Sequence, residues 1–335
     1  MAAERARRFT MFAAEGTTPD VIEQLYADVQ RLATSYPQRP ITELLGELAE
    51  TQDALFTLIE RRPMPNQARQ LHFLAAVSSG LLAKASHDLA QPASAMTQAR
   101  TAILCAKQAD HNGLTAWLCG LQSLVAYWAG RYGEALRYAD QGSAYADRTG
   151  GTTSVWLPLS AARAHAALGN GSEALAKIRH AEDAWNNVEP DEVDELGGIC
   201  SFNHPRATYY AADALVSPAM VPYVSESDPD MPASYAVKAV EEFSDHNRPT
   251  WAFGDQAGAH TDLAIARVVS RELEGAREAL LPVFELPPEK RINGVTQSVQ
   301  RVQDSLIRVG LASDAPDLID QIEDFTRLPL KALPH

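Results

Sequence analysis

The chain has 335 residues, 46% of them hydrophobic, and its 43 acids against 29 bases give a formal charge of −14. That length can bury a large core, and the apolar share is ordinary for a folded globular chain. The acidic balance would repel phosphate, which excludes a duplex-binding surface over the chain as a whole. The dense basic stub Arg5, Arg7 and Arg8 reads as the solvated start of a first helix.

Apolar residues recur at helical spacing almost everywhere, and period-2 runs rich in Val, Ile and Thr are missing. Thr17, Thr18 and Pro19 start a helix with Val21, Ile22, Leu25, Val29 and Leu32 on one face, and Pro37 and Pro40 end it. A second helix carries Ile41, Leu44, Leu45, Leu48, Leu55, Phe56 and Ile59 up to Pro63 and Pro65. Helices follow at 66–86 and 91–108, the latter with Pro92 in its first turn, where the missing N–H costs little. The spacing then predicts hairpins at 113–129 with a partner to 147, and at 153–168 with 171–187.

The acid-rich stretch Glu189 to Glu195 reads as an exposed loop without the spacing of a calcium loop. A helix at 204–216 leads into 217–233, where Pro218, Pro222, Pro229 and Pro232 exclude a regular helix. Helices resume at 232–245, 250–270 and 273–285, where Arg271 occupies the position that a junction glycine would take. Two more, at 294–309 and 315–327, would cap the array.

An internal register organises this pattern. Trp117 and Trp156, Gly130 and Gly169, and Glu134-Ala135 and Glu173-Ala174 each recur 39 residues apart. Glycine permits a left-handed turn and alanine a close helix approach, so the repeat reads as stacked helical hairpins. The expectation is an all-α, right-handed helical-repeat solenoid of stacked antiparallel helix hairpins, tetratricopeptide-like, with about 14 helices. It forms one domain over 1–335: N-terminal helices at 1–62, hairpin repeats at 63–286 and capping helices at 287–335. The 39-residue spacing exceeds the standard repeat of about 34 residues, which requires longer helices or larger loops.

Chemistry-bearing motifs are missing. There is no phosphate-binding glycine loop, nucleophile elbow or His-Glu-x-x-His pair. The nine histidines hold no i, i+3 or i, i+4 pair, and Cys105, Cys119 and Cys200 lack metal spacing. The expectation is therefore no enzyme, no cofactor and no metal. An odd cysteine count, no apparent signal peptide and no run of 18 apolar residues suggest a cytoplasmic chain without a membrane span.

In stacked hairpins the first helices line the concave side, which puts Trp117, Leu124, Tyr127 and Trp128, then Trp156, Leu159, Arg163 and Ala166, on one inward line. Such an aromatic ladder suits an apolar ligand or a peptide, and serves equally well as inter-repeat core. A second candidate is the start of the 204–216 helix. Asn203 can cap it or bind a peptide backbone, and Arg206 and Tyr210 share a face suited to an anionic or carbonyl-bearing ligand. The candidate ligand-binding set is Trp117, Tyr127, Trp156, Arg163, Asn203, Arg206 and Tyr210.

Several segments in order support a family comparison. They are Ala6-Arg7-Arg8-Phe9 leading to Leu25 and Asp28 to Ala33; Leu81-Leu82-Ala83 with Asp88-Leu89 and Pro92-Ala93; Ala126 to Arg131; Phe202 with Pro205-Arg206 and Tyr209-Tyr210-Ala211; and Leu280 to Val283 with Leu286 to Glu289. In these the chain resembles the tetratricopeptide-like sensory region of actinobacterial helix-turn-helix regulators of the XRE class. The resemblance implies a ligand- or peptide-sensing scaffold in transcriptional regulation. The DNA-binding module of that family has no counterpart here, so no direct nucleic-acid contact is expected. Expected occupants of the groove are a signalling peptide, a small molecule or a protein partner, and a homodimer would suit a regulator of two half-sites. The alternative is a protein-interaction adaptor without a small ligand, and a third, less favoured reading is an all-α enzyme.

Overall fold

A computed structural model describes residues 18–224 and 228–327. The basic stub and Ala6-Arg7-Arg8-Phe9 lie outside the described residues. Among those described there are fifteen α-helices and no strands. They are α1 Pro19–Ser35, α2 Ile41–Glu60, α3 Pro65–Asp88, α4 Pro92–Gln108, α5 Asn112–Trp128, α6 Tyr132–Ala146, α7 Thr153–Ala167, α8 Gly171–Trp185, α9 His204–Leu215, α10 Val221–Val224, α11 Met231–Glu242, α12 Phe253–Val269, α13 Leu273–Phe284, α14 Asn293–Arg308 and α15 Pro316–Arg327. The structure is the tetratricopeptide-like stack of helix hairpins expected from the register, with α10 a single turn in the proline-rich connection.

Helix ends repeat one device. Gly130 and Gly169 adopt φ of 70° and 81° just past α5 and α7, and Gly310 does so past α14. Ala90, Asp110 and Arg271 take the same left-handed turn at equivalent places. At each, the next residue's N–H reaches back five residues to a helical carbonyl: Gln91 to Ser86, His111 to Ala106, Arg131 to Ala126, Asn170 to His165, Glu272 to Arg267 and Leu311 to Leu306. This is the Schellman closure, which satisfies carbonyls left open at a helix end. Arg271 therefore does the work of the glycine it replaces, against the steric cost of φ 63°.

The two helices of a hairpin differ in kind. In α5 every residue from Gly113 to Ala126 is buried, Thr115, Gln122 and Ser123 included, so the helix sits inside the stack. In α6 the buried residues are Ala135, Ala139, Gly142 and Ala146, one stripe of small side chains that lets the outer helix lie close. α8 repeats the stripe with Gly171, Ala174, Ile178 and Ala181.

First helices stack on first helices: α3 on α5, α5 on α7, α7 on α9, α9 on α12 and α12 on α14. Each junction between α3, α5 and α7 inserts a tryptophan into a glycine notch. A Cβ at Gly80 would lie 2.4 Å from the Trp117 ring, and one at Gly120 would lie 2.6 Å from the Trp156 ring. Tyr209 meets Gly258 in the same way between α9 and α12.

The stack curls back on itself. α14 touches α3, the 288–290 turn touches α2, and the Phe253 N–H donates to the Pro37 carbonyl at 3.2 Å. The capping hairpin thus closes a ring as well as covering the last repeat.

One expectation is corrected. The acid-rich stretch after α8 is a structural insert and not simply an exposed loop. Val193, Leu196, Ile199 and Cys200 are buried, and short 3-10 turns at Asp194–Leu196 and Gly198–Cys200 pack on α1. Asp194 accepts from the Thr152 N–H at 2.9 Å and from its hydroxyl, which anchors the insert to the start of α7. Gly198 (φ 56°) leaves no room for a side chain, since a Cβ would sit 2.1 Å from the Ala33 carbonyl oxygen.

Candidate functional site: an axial channel crossed by an ion bridge

The inward faces of α3, α7, α9, α12 and α14 bring charged side chains to the axis of the ring. On α9, Asp213 is fully enclosed and binds two guanidiniums. Arg163 of α7 donates from Nε to Oδ2, and Arg301 of α14 donates from Nη1 to Oδ1. The Tyr127 hydroxyl of α5 donates to the same carboxylate at 3.3 Å. The Arg163 guanidinium lies between two rings, 4.2 Å from the Tyr127 centroid and 4.4 Å from that of Tyr210. Such cation–π contacts strengthen when water is excluded.

The electrostatics are those of a closed, low-dielectric site. Burial pushes the Asp213 carboxyl up, but the charges of Arg163 and Arg301 outweigh it and hold it at about 2. Asp262 of α12 goes the other way: burial, then the nearby Asp213 charge, raise it well above the carboxylate range. Two neighbouring carboxyls pushed apart in this way leave one ionised and one favouring its proton. Burial, then Asp213, also lifts Tyr127 to about 12.

Two cavities flank the bridge. A narrow chamber of about 100 Å³ borders Arg163 and is walled by Trp156, Tyr209, Tyr210 and Phe253. Most of its polar groups are internally paired, while Trp156 Nε1 and Arg163 Nη2 are buried without a partner. The Tyr36 hydroxyl and Lys84 ammonium both donate to Asp88 Oδ2, at 2.8 and 2.7 Å, and Arg206 Nε donates to Asp255 Oδ2 at 2.8 Å. A wide chamber of about 390 Å³ lies on the other side and borders Arg301, Tyr127, Gln297, Gln300, Ser305 and Arg308. Trp128 lines both chambers.

Of the seven candidate residues, Trp156, Arg163, Arg206 and Tyr210 line the narrow chamber, and Tyr127 lines the wide one. Trp117 belongs elsewhere: it is 1% exposed, sits on Gly80 and donates from its indole to the Ile199 carbonyl at 3.3 Å. The inter-repeat core claims it because it lies one junction nearer the N-terminus, where the 186–203 insert covers the inner face. Asn203 is a helix cap. Its side chain accepts from the Arg206 N–H at 3.0 Å and donates to the Thr250 carbonyl at 3.3 Å, which leaves it outside both chambers. Leu159 faces a separate cleft beneath Trp185 and Tyr235, and Ala166 is core.

Sequence reasoning missed Asp213, Asp262, Asp255, Asp88, Lys84 and Arg301. A signal existed for two of them. Asp213 and Asp262 each stand alone in an alanine-rich apolar stretch, and a charge there must find a buried partner. Arg301 gave none, since the polar run Gln300 to Asp304 has the pattern of a solvated face.

His87, buried beside Lys84 and Asp88, supplies a pH test. Burial lowers it from 6.5 to about 4, with Lys84 and Arg163 reinforcing and Asp88 opposing. A histidine with a lowered folded value adds stability above its unfolded value and loses it as pH falls through the window 6.5 to 4. That loss amounts to about 3 kcal/mol. His72, His165 and His260 shift in the same direction, so the difference between wild type and His87→Gln isolates this one. Urea unfolding from pH 7 to 4 is expected to show a shallower decline in the variant, and parallel curves would contradict the assignment.

Among the described residues no group of His, Cys, Asp and Glu could hold a metal ion, and no helix is long and apolar enough to cross a membrane. The three thiols are buried, and burial pushes Cys119 up to about 11.

No family model matches the chain, and no curated protein matches it. Among solved structures, the crystal structure of a Rap protein complexed with competence and sporulation factor aligns over 92% of this chain and 94% of its own, at 12% identity and a TM-score of 0.46. The assignment of a helical-repeat scaffold stands on the hairpins, junction closures and first-helix stacking described above.

Proposed function

We propose that this chain is a ligand-sensing helical-repeat scaffold, with the ligand taken in the axial channel, and that it acts in transcriptional control through a partner or module that binds DNA. The observation that carries the reading is the Arg163–Asp213–Arg301 bridge. It joins α7, α9 and α14, which are distant in sequence, and it stands between two cavities. A ligand that binds better to one arrangement of this bridge shifts the ring toward that arrangement. The transcriptional part rests on the resemblance to XRE-class sensory regions, and a homodimer in the cytoplasm would suit it.

The chamber sizes favour a small molecule. At about 390 Å³ the wide chamber falls in the range of small-molecule sites. A signalling peptide or a protein partner is better served by a long open groove, which the closure of α14 on α3 removes. Native mass spectrometry of the full chain, purified from its own host, tests the reading. A retained small mass, absent from a folded Gln297→Trp variant whose indole fills the wide chamber, is the expected result. A wild-type chain that retains no small molecule but co-purifies with a stoichiometric protein partner would favour the adaptor alternative.

A further inference from the structure

We propose that the wide chamber binds a small molecule bearing a carboxylate, which Arg301 and Arg308 hold and which competes with Asp213 for the Arg301 guanidinium. This rests on the sensing reading above and names the class of ligand for it.

The bridge is short of acceptors. A guanidinium has five N–H donors. Among the described residues, Arg163 and Arg301 each spend one on Asp213. Arg163 Nη2 is buried without a partner. The second carboxyl nearby, Asp262, bonds neither arginine, and its buried Oδ2 has no partner either. Two cations therefore share one engaged anion, and a second planar oxyanion is the group that the cluster lacks.

The chamber reaches that cluster from the side of Arg301, whose side chain is a quarter exposed. Arg308 lies seven residues further on the same face of α14 and has no ion-pair partner among the described residues. Ser305, between them at i+4 from Arg301, borders the chamber with a buried hydroxyl that has no hydrogen-bond partner. Tyr127 contributes an aromatic wall and already bonds the shared carboxylate. The unpartnered buried Ser305 hydroxyl and the unspent donors of Arg301 and Arg308 border one cavity and are unmet demand for an acceptor; Arg163 borders the narrow chamber instead.

Charge selects the size of the anion. Asp304 also borders the chamber and, with Asp213, opposes the three arginines. On the chamber's own lining Arg301 and Arg308 outnumber Asp304 by one charge, which suits a monoanion better than a phosphate dianion. A ligand carboxylate has the same geometry as the Asp213 group it meets, so it can exchange for that group on Arg301 and loosen the tie between α14 and α9.

The test is a matched panel of carboxylic acids of three to eight carbons and their primary amides, with inorganic phosphate as a further arm. Each is added to the full chain, and thermal shift is followed by calorimetric titration. Acids are expected to bind at least about tenfold more tightly than their amides, as the loss of a charge-assisted hydrogen bond implies. Folded Arg308→Gln, which lies outside the bridge, is expected to weaken that preference, and Arg301→Gln to abolish it. Arg301→Lys keeps a charge on the bridge and guards against misfolding of the neutral variant. Equal binding of acids and amides, a response to phosphate alone, or no shift from any acid would overturn the proposal. A neutral molecule retained from the host by both wild type and Arg301→Gln would refute the carboxylate while leaving the sensing reading intact.

Discussion

Asp213→Ala is expected to cost about 3–5 kcal/mol of unfolding free energy, among the largest effects of any single substitution outside the apolar core. The physical reason is asymmetric. A buried ion pair contributes little net stability, because the attraction offsets the desolvation of both partners. Removal of one partner leaves the other charged in a low-dielectric site. Here one carboxylate serves two guanidiniums, Arg163 and Arg301, so a single truncation strands both. Chemical denaturation at pH 7 measures the loss. A second variant separates stranding from simple loss of contact: Arg163→Met and Arg301→Met added to Asp213→Leu should restore most of the stability, since no charge is then left unpaired. A loss below about 1 kcal/mol for Asp213→Ala would mean that water reaches the bridge freely, contrary to its enclosure.

Trp117→Ala is expected to destabilise by about 3–5 kcal/mol, the usual range for deletion of a large buried aromatic. The ring fills the notch over Gly80 at the α3–α5 junction, and its indole N–H holds the 186–203 insert through Ile199. Truncation therefore opens a cavity and leaves a buried carbonyl without its donor. The same substitution should not alter the ligand preference of the wide chamber, which Trp117 does not border. Urea unfolding together with the acid–amide panel checks both halves. A folded, stable Trp117→Ala chain with altered ligand binding would return this residue to the site.

Much of the architecture was legible from residues alone. Helical periodicity placed most helices within two or three residues of their observed ends, because prolines and left-handed turns act locally. Gly130 and Gly169 marked the hairpin junctions, and alanine at the fixed offset marked the close-packed outer helix. Even Arg271 could be assigned to a junction by position, although its residue type argued against the turn that it adopts.

The candidate site was legible only in part, and the failures have a common cause. Trp117 and Trp156 are equivalent by register, yet one is core and the other lines a chamber. The 186–203 insert ties down the Trp117 indole through the Ile199 carbonyl, whereas on Trp156 it only stacks Phe202, and that ring still borders the narrow chamber. Arg163 was singled out, but its partners Asp213 and Arg301 lie 50 and 138 positions further along the chain, and no local pattern joins them. Short-range chemistry is written into neighbouring residues, so the repeat, its turns and its small-residue stripes follow from the sequence by itself. The axial channel depends on the curvature summed over the stacked hairpins and on the return of α14 to α3. Small rotations at each junction accumulate into a ring, and only the closed ring decides which charges meet and how much space is left between them.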